Sequence, residues 1–193
     1  MGRSRRRGAL LLAGLIALPL GAQEAPRLAF KGLLLGASQA EAVERLPFLQ
    51  CRTVGAGATV VADVICNSTD GGLVQHQFTF GGVPPSYVSL SFVRDQMVSA
   101  TILFYPRDFD RLQVAMTEAY GKPAKAVTET VKTRAGLALE SNVLEWTAGG
   151  DTLMLRRYGS DIRTGAVMLS GKAFEQEDER RRRERASSGA KDL

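Results

Sequence analysis

Two cysteines and a single histidine are the residues of this chain best suited to chemistry. Their spacing decides which chemistry is open to them. Cys51 and Cys66 bracket the stretch "CRTVGAGATVVADVIC". A structural metal site takes three or four ligands from Cys, His and carboxylates. Two cysteines and the lone His76 fall short of that set, so neither a metal nor any other cofactor is expected. A redox dithiol uses C-x-x-C at a helix start, where the thiolate is stabilised. Here the interval is fifteen residues and Cys66 closes a β-branched run. In an oxidising compartment such an even pair reads as a structural disulfide. Closing a loop of this size stabilises by about 3 kcal/mol in the chain-entropy picture.

His76 sits in "LVQHQFTF", on the apolar side of the alternation with Val74, Phe78 and Phe80. A catalytic histidine needs a nucleophile or an orienting carboxylate. Asp63 and Asp70 are candidates for that carboxylate, and the sequence pins neither. The plain alternative is a packed histidine with one hydrogen-bond partner. No G-x-S-x-G elbow and no phosphate-binding glycine loop occurs, and "VGAGAT" holds only an isolated G-x-G. The carboxylates lie in turns, helix faces and the tail, and nothing selects a pair for acid–base work. The expectation is therefore a protein without catalytic residues, with a hydrolase built on His76 as the enzymatic alternative.

The elements that would position these residues are legible as periodicities. Ser38 with Glu41 forms a capping box ahead of a short helix, with Val43 and Leu46 as its buried stripe. Four strand-like segments follow: "ATVVADVIC", "LVQHQFTF", "YVSLSFV" and "MVSATILFY". The last two read as a hairpin, with Val88, Leu90 and Phe92 on one face and Val98, Ala100, Ile102 and Phe104 opposite them. A second helix starts near Asp108, with Phe109, Leu112 and Met116 at helical spacing. Gly121 and Pro123 end it. Strand signals resume in "KAVTETVKT", "NVLEWT", "TLMLRRY" and "GAVMLSG". The order predicts an α+β two-layer fold, with an antiparallel sheet and helices on one face. The pattern suggests a tandem αββββ duplication, with halves at 30–105 and 106–171 inside a domain of 23–171.

The face opposite the helices carries Tyr87, Ser89, Ser91, Ser99, Thr101, Leu103 and Tyr105. By parity Met154, Arg156 and Tyr158 share a face in the second half, and Met168 joins them. Tyr, Met and Arg are enriched at protein interfaces. Tyr87, Tyr105, Met154, Arg156 and Tyr158 are therefore the candidate binding face. An ordinary solvated sheet face is the other reading.

The chain starts with the basic "MGRSRRRG", the apolar "ALLLAGLIALPL" and the polar "QEAP", the three-part plan of a signal peptide over 1–22. Cleavage is expected after Ala22 or Ala25. The apolar run is too short to span a bilayer, which takes about 20 residues. Export to the periplasm or beyond follows, with no stable membrane insertion after cleavage. The whole chain holds 25 basic and 20 acidic residues. Without the four signal arginines the balance is 21 to 20, a net +1. No nucleic-acid partner is expected from that balance. The segment 172–193, with "FEQEDERRRRER", reads as a charged helical or disordered tail. Glu177, Asp178 and Glu179 each precede an arginine by four residues, the favourable direction for helical ion pairs.

The stretch "FKGLLLGASQAEAVERL" resembles the start of the SmpA/OmlA-like fold, whose members include an outer-membrane assembly lipoprotein. "AYGKP" looks like a helix end of such exported modules. Tandem helix-plus-four-strand units with a disulfide are similar to the β-lactamase inhibitory protein architecture. This chain departs from those patterns in having no lipidation cysteine and cysteines in one half only. The resemblance implies a non-enzymatic protein–protein module and carries over no functional residue. Another envelope protein is the expected partner. An inhibitor using "VGAGA" and "GGVPPS" as fingers is the alternative.

Overall fold

Alternation of apolar and polar residues, with two-residue turns at 94–95 and 149–150, drives neighbouring segments into antiparallel hairpins. A computed structural model describes residues 27–55, 58, 60–68, 78–133, 135–159 and 161–189, the last two as backbone only. It shows α1 (Gln39–Arg45), β1 (Leu49–Thr53), β2 (Val64–Ser68), β3 (Tyr87–Val93) and β4 (Gln96–Phe104). A 3-10 turn (Pro106–Asp108) leads into α2 (Phe109–Tyr120). Then come β5 (Lys125–Lys132), β6 (Ala138–Ala148), β7 (Asp151–Arg156), β8 (Gly165–Ser170) and α3 (Lys172–Gly189). The fold is α+β. All eight strands join one sheet in the order β1-β2-β3-β4-β8-β7-β6-β5, with every pair antiparallel. Each half lays down its four strands in sequence. The last strands of the two halves, β4 and β8, meet at the centre.

One face of the sheet carries the core. Val88, Leu90, Phe92, Ala100, Ile102 and Phe104 pack with Trp146, Leu153, Leu155, Val167 and Leu169 from the second half. Ala42 of α1 and Phe109, Leu112 and Met116 of α2 close over them, as the helical spacing of α2 predicts. Gly121 ends α2 at φ 80°, the left-handed value a glycine adopts without a Cβ penalty. Its carbonyl accepts a 2.8 Å hydrogen bond from Trp146 Nε1. Phe30, Phe48, Phe78 and Phe80 form an aromatic cluster beside this core, with ring centroids 5.7–5.9 Å apart.

Four details depart from the sequence reading. The buried stripe of α1 is Ala42 and Leu46, four apart, with Val43 half-buried. Ser38 Oγ does accept from the Glu41 N–H at 3.2 Å, but the Glu41 carboxylate turns to Arg45, 3.5 Å away. In β4 the register shifts: Phe92 pairs with Met97 and Ser91 with Ser99. Val98 is the extra residue of a bulge, so Met97 takes the core position. The first strand of the sheet is "LQCRT", before the region read as strand one, and β2 covers only the end of "ATVVADVIC" with two further residues. Most of "LVQHQFTF" lies outside the described residues, and Phe80 and Val83 at its end form an isolated bridge.

Cys51 and Cys66 are disulfide-bonded directly opposite each other in β1 and β2, with Cα atoms 3.9 Å apart. Cys66 is fully buried in the core and Cys51 packs against it. No helix among the described residues is long and apolar enough to cross a membrane.

Candidate functional site

The second face of the sheet is built by parity. Leu103, Ala166 and Arg156 are register partners across β4, β8 and β7. In the next row Thr101 pairs with Met168 and Met168 with Met154. These six residues with Gly159 line a groove of about 290 Å³. Its wall is mostly apolar, and Arg156 is its one charged lining residue. The Arg156 guanidinium also lies 3.4 Å from Glu129 of β5. Met168 is 39% exposed at the middle of the floor.

The groove stays open because its strands carry small or flexible residues there. Ala166 and Gly159 leave room between longer neighbours, and unbranched methionines adapt their shape to what they meet. Gly165 cannot carry a side chain, since a Cβ there would stand 2.4 Å from the Phe104 ring. That close approach seats the start of β8 on the core and sets Ala166 on the groove side.

The candidate binding residues divide. Met154 and Arg156 line the groove. Tyr87 pairs with Leu103 one strand further out and is half-buried. Tyr105 follows β4, exposed, with the Arg107 guanidinium 5.1 Å above its ring. Tyr158 follows β7, half-buried, and its N–H donates to Ser141 Oγ at 3.4 Å. The three tyrosines stand outside the groove lining. Ala166 and Gly159 are lining residues that the sequence reading did not single out. Ala166 shares parity with Met168 in "GAVMLSG", which was the available signal.

The same face has a second built feature at its other end. Ile65 alternates with the core residue Cys66 and so points away from the core, yet it is buried. Val98, Val61 and Ala62 are also buried outside the main core. The element there is α3, which packs on β4 and sends Arg181 to the segment 60–63. The tail is thus a docked helix through Gly189. Its internal pairs are those the spacing predicts: Glu177 with Arg181, Asp178 with Arg182 and Glu179 with Arg183, at 2.7–2.9 Å. Glu177 is buried, and Arg180 and Arg181 bonded to its carboxylate hold its pKa down to about 2 against the desolvation that opposes them.

Other candidates resolve differently. His76 and Asp70 lie outside the described residues. Asp63 is committed to Arg181 and to the Arg94 N–H. Among the described residues no three of His, Cys, Asp and Glu come together. The glycines of "GGVPPS" form a tight turn seated on α2, where a Cβ at Gly81 would stand 3.1 Å from Leu112 and Ala115. Tyr120, whose pKa burial raises, donates its hydroxyl to the Ala29 carbonyl at 3.0 Å. No family model matches this chain, and no match is found among curated proteins or solved structures.

Proposed function

We propose that this chain is an exported, non-enzymatic binding module that docks an envelope protein in the groove across β4, β8 and β7. One observation carries this reading. The sheet buries its other face under α1, α2 and the aromatic cluster, while this face leaves two facing methionines, Leu103 and Ala166 around an open hollow. Exposed apolar surface rimmed by polar groups is where partners dock. Met and Arg together are also typical of interface cores. The apolar lining suits an apolar side chain as the partner's anchor, and Arg156, paired at 3.4 Å with Glu129, gives the groove a polar rim. The disulfide and the basic–apolar–polar start of the chain support export to an oxidising compartment.

A photo-crosslinking residue at position 168, expressed in cells, tests this reading. The same residue at Val114, 59% exposed on α2, is the control. The expected result is one envelope protein linked from 168 and absent from 114. That protein, once purified, should bind the wild-type chain directly. Equal labelling at both positions would remove the groove as a docking site.

A further inference from the structure

Asp63 uses every polar group it has. Its N–H donates to the Phe92 carbonyl at 2.7 Å, and its own carbonyl accepts from the Val54 N–H at 2.8 Å. Its Oδ2 accepts from the Arg94 N–H at 2.9 Å, which holds a turn where Arg94 and Asp95 both have positive φ. Its Oδ1 accepts from Arg181 Nη2 at 2.7 Å. Arg181 Nη1 also donates to the carbonyls of Val60 at 3.2 Å and Ala62 at 3.1 Å. Two carbonyls and a carboxylate therefore converge on one guanidinium, whose five donors suit such a fork.

This socket ties α3 to the segment 60–63. The helix has no apolar stripe. Ala173 and Ala186 are exposed, Phe174 is half-buried, and Glu177 is the one buried residue among its described side chains. The socket in turn lies inside the loop that the Cys51–Cys66 bond closes. A cross-link removes conformational freedom from the chain it encloses before any partner arrives. Without the bond, more of the ordering of segment 60–63 falls on Arg181, beside the hydrogen bonds that Asp63 makes with Val54, Phe92 and Arg94.

We propose that the Cys51–Cys66 disulfide and the docking of α3 are one coupled device, in which the bond presents the 60–63 acceptors and its reduction releases the helix. The reductant is a dithiol. One of its thiolates attacks a cysteine sulfur, the S–S bond breaks and a mixed disulfide forms. Its second thiol resolves that intermediate, so two electrons and two protons pass to Cys51 and Cys66 and the reductant leaves as a disulfide. Release of α3 frees the part of β4 on which it packs. The coupling stands whether or not a partner binds in the groove.

Coupling between two events is reciprocal, and typical strengths are about 5- to 150-fold. Two measurements on the full chain test it. The first is hydrogen exchange of oxidised protein, protein reduced with dithiothreitol, and oxidised Arg181→Ala. The expected result is a loss of protection in 172–189 of about five-fold or more in the reduced and Arg181→Ala samples. Protection in β4 and β8 should persist. The second is the thiol–disulfide equilibrium against dithiothreitol, where Arg181→Ala should be reduced more readily by a similar factor. This arm decides the matter even if reduction unfolds the whole chain. Unchanged α3 protection on reduction, or an unchanged equilibrium in Arg181→Ala, overturns the proposal.

Discussion

Met154 and Met168 stand directly opposite each other on adjacent strands, on the sheet face that α1 and α2 leave open. Their core-side neighbours Leu153, Leu155, Val167 and Leu169 are buried almost completely. Alternation along two short strands thus separates residues that hold the fold from residues free to meet a partner. Replacing Met168 by Glu should therefore leave stability within about 0.5 kcal/mol of wild type, the usual range for surface changes. Urea denaturation checks this, and a large loss would mean that the floor of the groove is part of the core.

Replacing Cys51 and Cys66 together by Ala removes the cross-link while keeping small apolar side chains. The expected destabilisation is about 3 kcal/mol from loop closure. The midpoint of urea unfolding should fall by that free energy divided by the slope of the transition. Reductant should then have no further effect on the variant.

Trp146 is the only tryptophan in the chain, it is buried, and its indole N–H reaches the Gly121 carbonyl at 2.8 Å. Trp146→Phe keeps an aromatic ring but loses the hydrogen bond to Gly121, whose carbonyl water can then reach. A loss of about 0.5–1.5 kcal/mol is expected, the usual net worth of one hydrogen bond. In the wild type, tryptophan emission should shift to the red in a single step on unfolding, together with the loss of far-ultraviolet circular dichroism.

Glu177 gives a sign for pH dependence. Its pKa in the folded chain is about 2, below its ordinary value of 4.5, because Arg180 and Arg181 bond the carboxylate. A depressed carboxylate stabilises the docked helix above the unfolded pKa, and that contribution fades as pH falls toward the folded value. Hydrogen-exchange protection of α3, corrected for the pH dependence of intrinsic exchange, should be flat near neutrality and decline from about pH 4.5 down to pH 2. Glu177→Gln should begin with lower protection and lose most of this slope.

The parts of the fold that could be read from the sequence are those set by local chemistry. "YVSLSFV" and "TLMLRRY" alternate cleanly because one face of each is buried. Phe109, Leu112 and Met116 mark α2 because a helix packs one stripe. Met154 and Arg156 fell on one face for the same reason. The misses have equally physical causes. The bulge at Val98 adds one residue to β4, and everything beyond it toward the turn changes face. β1 is five residues, and its alternation of Leu49 and Cys51 with Gln50 and Arg52 is too short to mark a strand. It joins the sheet through its hydrogen bonds, the buried Leu49 and Cys51. The Asp63–Arg181 pair spans 118 residues, and no local pattern announces a contact at that separation.

The most direct test is the affinity of the wild-type chain and of Met154→Glu, Met168→Glu and Val114→Glu for the protein crosslinked from position 168. A charge on the groove floor must be desolvated on docking, while one on α2 stays in water. Binding should weaken by about tenfold or more for each of the two groove variants, equivalent to about 1.4 kcal/mol or more. Val114→Glu should bind as wild type, and all three should unfold at the same urea concentration as their parent. Equal affinity across the four proteins would contradict docking in this groove.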